Sequence, residues 1–151
     1  MWLAQPLTRS ELGRFFRSRL GSHLYDAAGT PAGGIAIYTL SDPRDLGATR
    51  YVGQTRSPRQ RFLQHVGTAR LWVPDELPWW IVEERRRPLY AWIRALYRDE
   101  RRLPVMIVAA WHGGQADATG AERELIQDCL RRQMPLLNIE SAVLQPQLRL
   151  L

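Results

Sequence analysis

Two short segments with strand character lie close together in the chain: Ile35-Ala36-Ile37-Tyr38-Thr39-Leu40, and residues 49–53, which carry Tyr51-Val52-Gly53. β-Branched and aromatic side chains suit a pleated, half-buried surface, so both segments predict strands. Ser41-Asp42-Pro43 ends the first, and about eight residues join the two, a length that fits a wide hairpin loop. A third strand is predicted from Val105-Met106-Ile107-Val108-Ala109-Ala110-Trp111, a continuous apolar run that belongs in the middle of a sheet and stops at Gly113-Gly114.

Helices are predicted between and around these strands. Ser57-Pro58 opens one to about Val66, with serine as cap, proline at the first helical position and Gln60 completing a capping box. Residues 88–101 show an apolar stripe (Leu89, Trp92, Ile93, Leu96), with Tyr90, Arg94, Arg98 and Arg101 on the opposite flank. Thr119 and Glu122 form a potential capping box before a helix at 120–133. Pro135 stops that helix, and Leu136-Leu137-Asn138-Ile139 returns to the core. Thr8 and Glu11 likewise predict an N-terminal helix over residues 9–20, with Phe15, Phe16 and Leu20 available for burial. Residues Asp26 to Gly34 read as a loop. Residues 71–87, with Trp72, Trp79, Trp80 and Arg85-Arg86-Arg87, read as an irregular, proline-broken insertion.

At 151 residues and 45% hydrophobic content the chain suits one globular domain rather than disorder. No apolar run approaches the ~18 residues of a membrane span, and the start of the chain lacks the pattern of a signal peptide. The single cysteine, Cys129, cannot form an internal disulfide, which points to a reducing compartment and so to the cytoplasm. It lies on an apolar helical stripe and suits packing. The net charge is +6, and all 21 basic residues are arginine. Residues 50–70 hold five arginines and no acid, and residues 85–102 hold seven against Asp99 and Glu100, so the rest of the chain is net acidic. Such segregation predicts a face for a polyanion, with a solvated basic surface as the plainer alternative.

Several residues carry chemistry. Arg61 and His65 are four apart on the helix after Ser57-Pro58, so they point the same way. A guanidinium suits phosphate because its fork donates two parallel hydrogen bonds while staying charged. Glu122 shares a helical face with Leu125, Ile126 and Cys129, which turns it toward the sheet, where the tyrosines are expected, whereas Glu124 points away with Asp128 and Arg131. A sheet-facing acid is costly unless it meets a metal or a strong donor. Capping of its own helix is the alternative. Tyr38 and Tyr51 read alone as core aromatics, and Asn138 as a turn residue after Pro135.

Taken in order, Ala36-Ile37-Tyr38, Tyr51-Val52-Gly53-Gln54-Thr55, Arg61, His65, Ala121-Glu122 with Ile126, and Asn138 resemble the signature of the GIY-YIG nuclease family. The resemblance runs from about Gly34 to Glu140. Ala36 replaces the first glycine of the name motif, and Val52 its second isoleucine. It implies an α+β fold: a small three-stranded antiparallel sheet flanked by helices, here with an extra N-terminal helix. The expected organisation is an N-terminal helical extension (1–33), a nuclease-like domain (34–141) with its insertion near 71–87, and a C-terminal tail (142–151).

The resemblance further implies a Mg²⁺-dependent endonuclease acting on DNA, with Mn²⁺ as a possible substitute. Tyr38 and Tyr51 would edge the site, one of them as general base. A phenol titrates near ~10, and positive charge beside it favours the phenolate. Arg61 would stabilise the scissile phosphate, and His65 would contact phosphate or assist proton transfer. Glu122 would hold the metal, and Asn138 would orient a tyrosine or the phosphate. Mg²⁺, which keeps much of its hydration, suits a single carboxylate. Arg56, Arg59, Arg85, Arg86, Arg87, Arg94, Arg98 and Arg101 are the expected contacts to the DNA backbone. The alternative is a catalytically silent nucleic-acid-binding module with the same fold.

Overall fold

The computed structural model describes residues 23–26, 33–71 and 87–138. They form β1 (Leu24–Asp26), β2 (Ile35–Asp42), β3 (Asp45–Thr55), α1 (Pro58–Ala69), α2 (Arg87–Glu100), β4 (Val105–His112) and α3 (Gln115–Arg131). The strands make one four-stranded sheet in the order β1-β4-β2-β3. β2 pairs antiparallel with both β3 and β4, and β1 lies parallel to β4.

Strand alternation sorts the side chains of β2 and β3 into two layers. Ala36, Tyr38, Leu40 and Tyr51 face α1 and α2, where Phe62, Val66, Leu89, Tyr90, Ile93 and Tyr97 close over them. Ile35, Ile37 and Val52 face α3, where they meet Ala118, Ile126 and Cys129. The sheet is therefore covered on both sides, which explains why β2 is buried along nearly its whole length. Each fully buried aliphatic or phenylalanine side chain in these layers contributes about 1.5–3 kcal/mol.

The expected sheet of three antiparallel strands is enlarged to a four-stranded, mixed one. Leu24-Tyr25-Asp26 adds to β4 in the register Leu24↔Met106, and the Met106 amide donates to the His23 carbonyl at 2.8 Å. A three-residue strand is too short to show a period of two, and its partner lies far away in sequence. Nothing local announces it. Part of the expected N-terminal helical extension is thus strand. The helix expected at 9–20, most of the insertion (72–86) and the tail (142–151) lie outside the described residues.

The hairpin is tighter than expected. β2 runs on to Asp42 and β3 begins at Asp45, which leaves Pro43-Arg44 as the turn. Asp42 closes it by accepting from the Arg44 backbone N–H at 2.8 Å and from its guanidinium at 2.9 and 2.8 Å. Register shifts at Leu40/Ser41 and Ser41/Asp42 absorb the extra residues of β3 as bulges. Leu40 faces Tyr51 and Ser41 faces Thr49, so Arg50 is the extra residue, and its guanidinium lies 5.3 Å from the Trp92 ring on α2.

Two helix starts differ from the capping boxes expected. Ser57 makes no side-chain cap bond; Pro58 opens α1, and the Ser57 N–H instead donates to Thr55 Oγ1 at 3.1 Å. α3 begins at Gln115 rather than 120, with Gly114 as cap. Thr119 and Glu122 therefore lie inside the helix, and a capping role for Glu122 is removed. The tight exit from β4 through Gly113-Gly114 lets the helix start at once.

Candidate active site

The hairpin register brings the two tyrosine motifs side by side: Tyr38 is paired with Gly53, Thr39 with Val52, and Leu40 with Tyr51. The Tyr38 side chain lies across the neighbouring strand at Gly53. A Cβ on that glycine would stand 2.5 Å from the Tyr38 hydroxyl oxygen and 2.6 Å from the ring carbon bearing it. Only glycine admits the ring there.

α1 supplies the third member. His65, 2% exposed, faces the sheet, and its Nε2 shares a 2.6 Å hydrogen bond with the Tyr38 hydroxyl. Its ring centroid lies 5.9 Å from that of Tyr38 and 5.5 Å from that of Tyr51, the latter edge-on. The two tyrosine rings are 6.3 Å apart. α2 adds Tyr90, whose ring is 6.2 Å from His65. One imidazole is thus enclosed by three phenol rings. Tyr38 is 1% exposed and Tyr51 8%.

Arg61 lies one turn before His65 on the same side of α1, at the solvent margin, with a long 3.4 Å bond to Gln64 Oε1. Asn138 lies at the open edge of β3. Its Oδ1 accepts from the Val52 N–H at 3.0 Å and its Nδ2 donates to the Val52 carbonyl at 2.7 Å, while the Leu137 N–H donates to the Arg50 carbonyl at 2.5 Å. The side chain imitates an incoming strand. It holds the backbone between Tyr51 and Gly53 and is buried in doing so.

Glu122 comes from the helix that covers the other layer of the core. It projects from α3 and accepts a hydrogen bond from Gln54 Nε2. Gln54 alternates with Gly53 along β3 and so belongs to the α3 face, with Val52. The predicted constellation is divided by the sheet: Tyr38, Tyr51 and His65 on the α1/α2 side, Glu122 on the α3 side, with residues 53 and 54 of β3 between them.

The arginines also divide. Arg56 and Arg59 are exposed around the start of α1. Arg94 is half-buried and donates to the Ala69 and Arg70 carbonyls at 2.8 and 2.6 Å, closing the end of α1. Arg98 pairs with Asp99 at 3.0 Å, and Arg101 lies 4.8 Å from the Tyr97 ring centroid. Arg85 and Arg86 lie outside the described residues; Arg87 is the first residue of α2.

The helical steps put Tyr90 on the outer flank of α2, whereas it packs on His65. Gln54 and Gln115 have no role legible in the sequence. Gln54 carries no signal of the helix it meets: alternation groups it with Val52, but packing alone decides that α3 covers that face. Arg50 gave none, because a bulge decides where it points. Compared with protein-family models, characterised proteins and solved structures, the chain matches none.

Proposed function

We propose that the chain is a Mg²⁺-dependent endonuclease of the GIY-YIG type that hydrolyses phosphodiester bonds in DNA. The observation that carries this reading is the Tyr38–His65 pair, packed against Tyr51 across Gly53. Three residues separated in sequence converge there with a glycine whose bare Cα admits the ring.

The exposures favour Tyr51 as the phenol that meets water, because Tyr38 is the more deeply buried and is engaged by His65 Nε2. Tyr38 then fixes the imidazole, and His65, edge-on to Tyr51, would assist proton transfer. Arg61, at the solvent margin one turn away, binds the non-bridging phosphate oxygens and stabilises their growing charge. Arg56 and Arg59 extend the cationic surface along the DNA backbone.

Among the described residues no three His, Cys, Asp or Glu side chains gather as a metal cluster. A carboxylate whose orientation is fixed by an amide fits Mg²⁺, which binds through one or two carboxylates and keeps several waters. Glu122 would hold the ion, which when bound supplies charge neutralisation at the leaving oxygen.

A second reading, a nucleic-acid-binding module without turnover, is favoured by one observation: the sheet separates Glu122 from the phenols. Incubation of supercoiled plasmid with Mg²⁺ distinguishes the two. The nuclease reading expects nicking by the parent protein that is lost in Glu122→Ala and Tyr51→Phe. Plasmid retardation without any nicking would replace it with the binding module.

A further inference from the structure

Gln115, Thr119 and Glu122 fall at steps of four and three along α3, so they share one face. Gln54 reaches that face from β3. Its Nε2 donates to Glu122 Oε2, and its Oε1 accepts from Gln115 Nε2 at 2.6 Å; the same Gln115 nitrogen donates to Thr119 Oγ1 at 3.1 Å. The direction of this chain follows from Glu122. An ionised carboxylate can only accept, so the Gln54 amide must turn its NH₂ inward and its carbonyl outward, toward Gln115. The hydrogen bond to the charged oxygen is the strong link. It ties a side chain with three rotatable bonds to the strand that carries Gly53.

We propose that Gln54, held in turn by Gln115, is a positioning residue for the Glu122 carboxylate, which it fixes in the orientation that a hydrated divalent cation takes up. This rests on Glu122 as the cation-holding acid of the proposed function. Hydrogen-bond partners of a ligating carboxylate typically account for 10–100-fold in metal affinity, through lost orientation rather than lost charge.

The test is Mn²⁺ binding followed by electron paramagnetic resonance, without DNA, for the parent, Gln54→Leu, Gln115→Leu and Glu122→Ala. Gln54→Leu is expected to raise the Kd for Mn²⁺ about 10–100-fold. Gln115→Leu should shift it less, in the same direction, while Glu122→Ala abolishes binding. Nicking by Gln54→Leu should recover as Mg²⁺ is raised, and nicking by Glu122→Ala should not; a purely structural role would leave this dependence on ion concentration unchanged. Gln115 is exposed at the start of α3, so its variant keeps the test decisive if Gln54→Leu does not fold. Parent-like Mn²⁺ affinity in Gln54→Leu, or in Gln115→Leu if only that variant folds, with binding lost in Glu122→Ala, would overturn the positioning role and leave the nuclease reading intact. A parent protein that binds no Mn²⁺ would overturn both.

Discussion

Gly53 is the residue on which the proposed site depends most sharply. In Gly53→Ala the new Cβ meets the Tyr38 ring, held between strands and bonded to His65, rather than the free end of a flexible chain. Either the ring swings out or the hairpin parts. The expected cost is about 1–3 kcal/mol of stability, the range for overpacking a tight core. Nicking should fall about 100-fold, because displacement of about 1 Å at a reacting group costs that much. Urea unfolding and plasmid nicking on the same preparation check both. Parent-like activity in Gly53→Ala would mean that the Tyr38 position is irrelevant to catalysis. Cys129 offers a simpler test. Burial, with Asp128 beside it, pushes its thiol pKa up, so an alkylating reagent near neutral pH should modify it only when urea unfolds the chain.

At the scale of the element, turns and helix ends can be tested separately from the site. Gln133 follows α3 with a φ of 60°, in the left-handed region that favours glycine. Gln133→Gly should stabilise the fold by about 0.5–1 kcal/mol, the relief of strain exceeding the added freedom of the unfolded chain. A higher urea midpoint at unchanged slope is the expected signature. The β2–β3 turn should be acid-sensitive. Hydrogen bonds from the Arg44 side chain, more than any other influence, hold the Asp42 carboxyl below its ordinary range. The folded state then resists protonation more than the unfolded chain does. The stability from this pair is fully present above the unfolded value of about 4 and is lost as pH falls through the lower folded one. Thermal melts between about pH 5 and pH 2 should show a shallower acid dependence in Asp42→Asn than in the parent.

For the whole molecule, what was legible in the sequence follows from range and periodicity. β2, β3 and β4 are announced by composition, α1 by Pro58 at its start and α2 by its apolar stripe. The meeting of Tyr38, Tyr51 and His65 follows once two strands pair and a helix packs on them. β1 was invisible because three residues carry no period and their partner is distant. The early start of α3 was hidden because Gly114 opens it without a side-chain signal, while Thr119 and Glu122 offered a false one. Arg94 illustrates the limit for charge: a basic residue on a helical flank looks like a DNA contact until a neighbouring helix end claims its donors. The division of the constellation by the sheet could not be read from spacing at all, since it depends on which face α3 covers.

For the proposed hydrolysis, Glu122 and the phenol–imidazole cluster must act on one phosphodiester although they approach it from opposite faces of the sheet. Nuclear magnetic resonance of the protein bound to a short DNA duplex, with Mn²⁺ added as a paramagnetic probe, tests this directly. The predicted result is selective broadening of signals from Gln54 and Glu122 together with Tyr51 and His65. Broadening confined to the α3 face, with Tyr51 and His65 sharp, would contradict it.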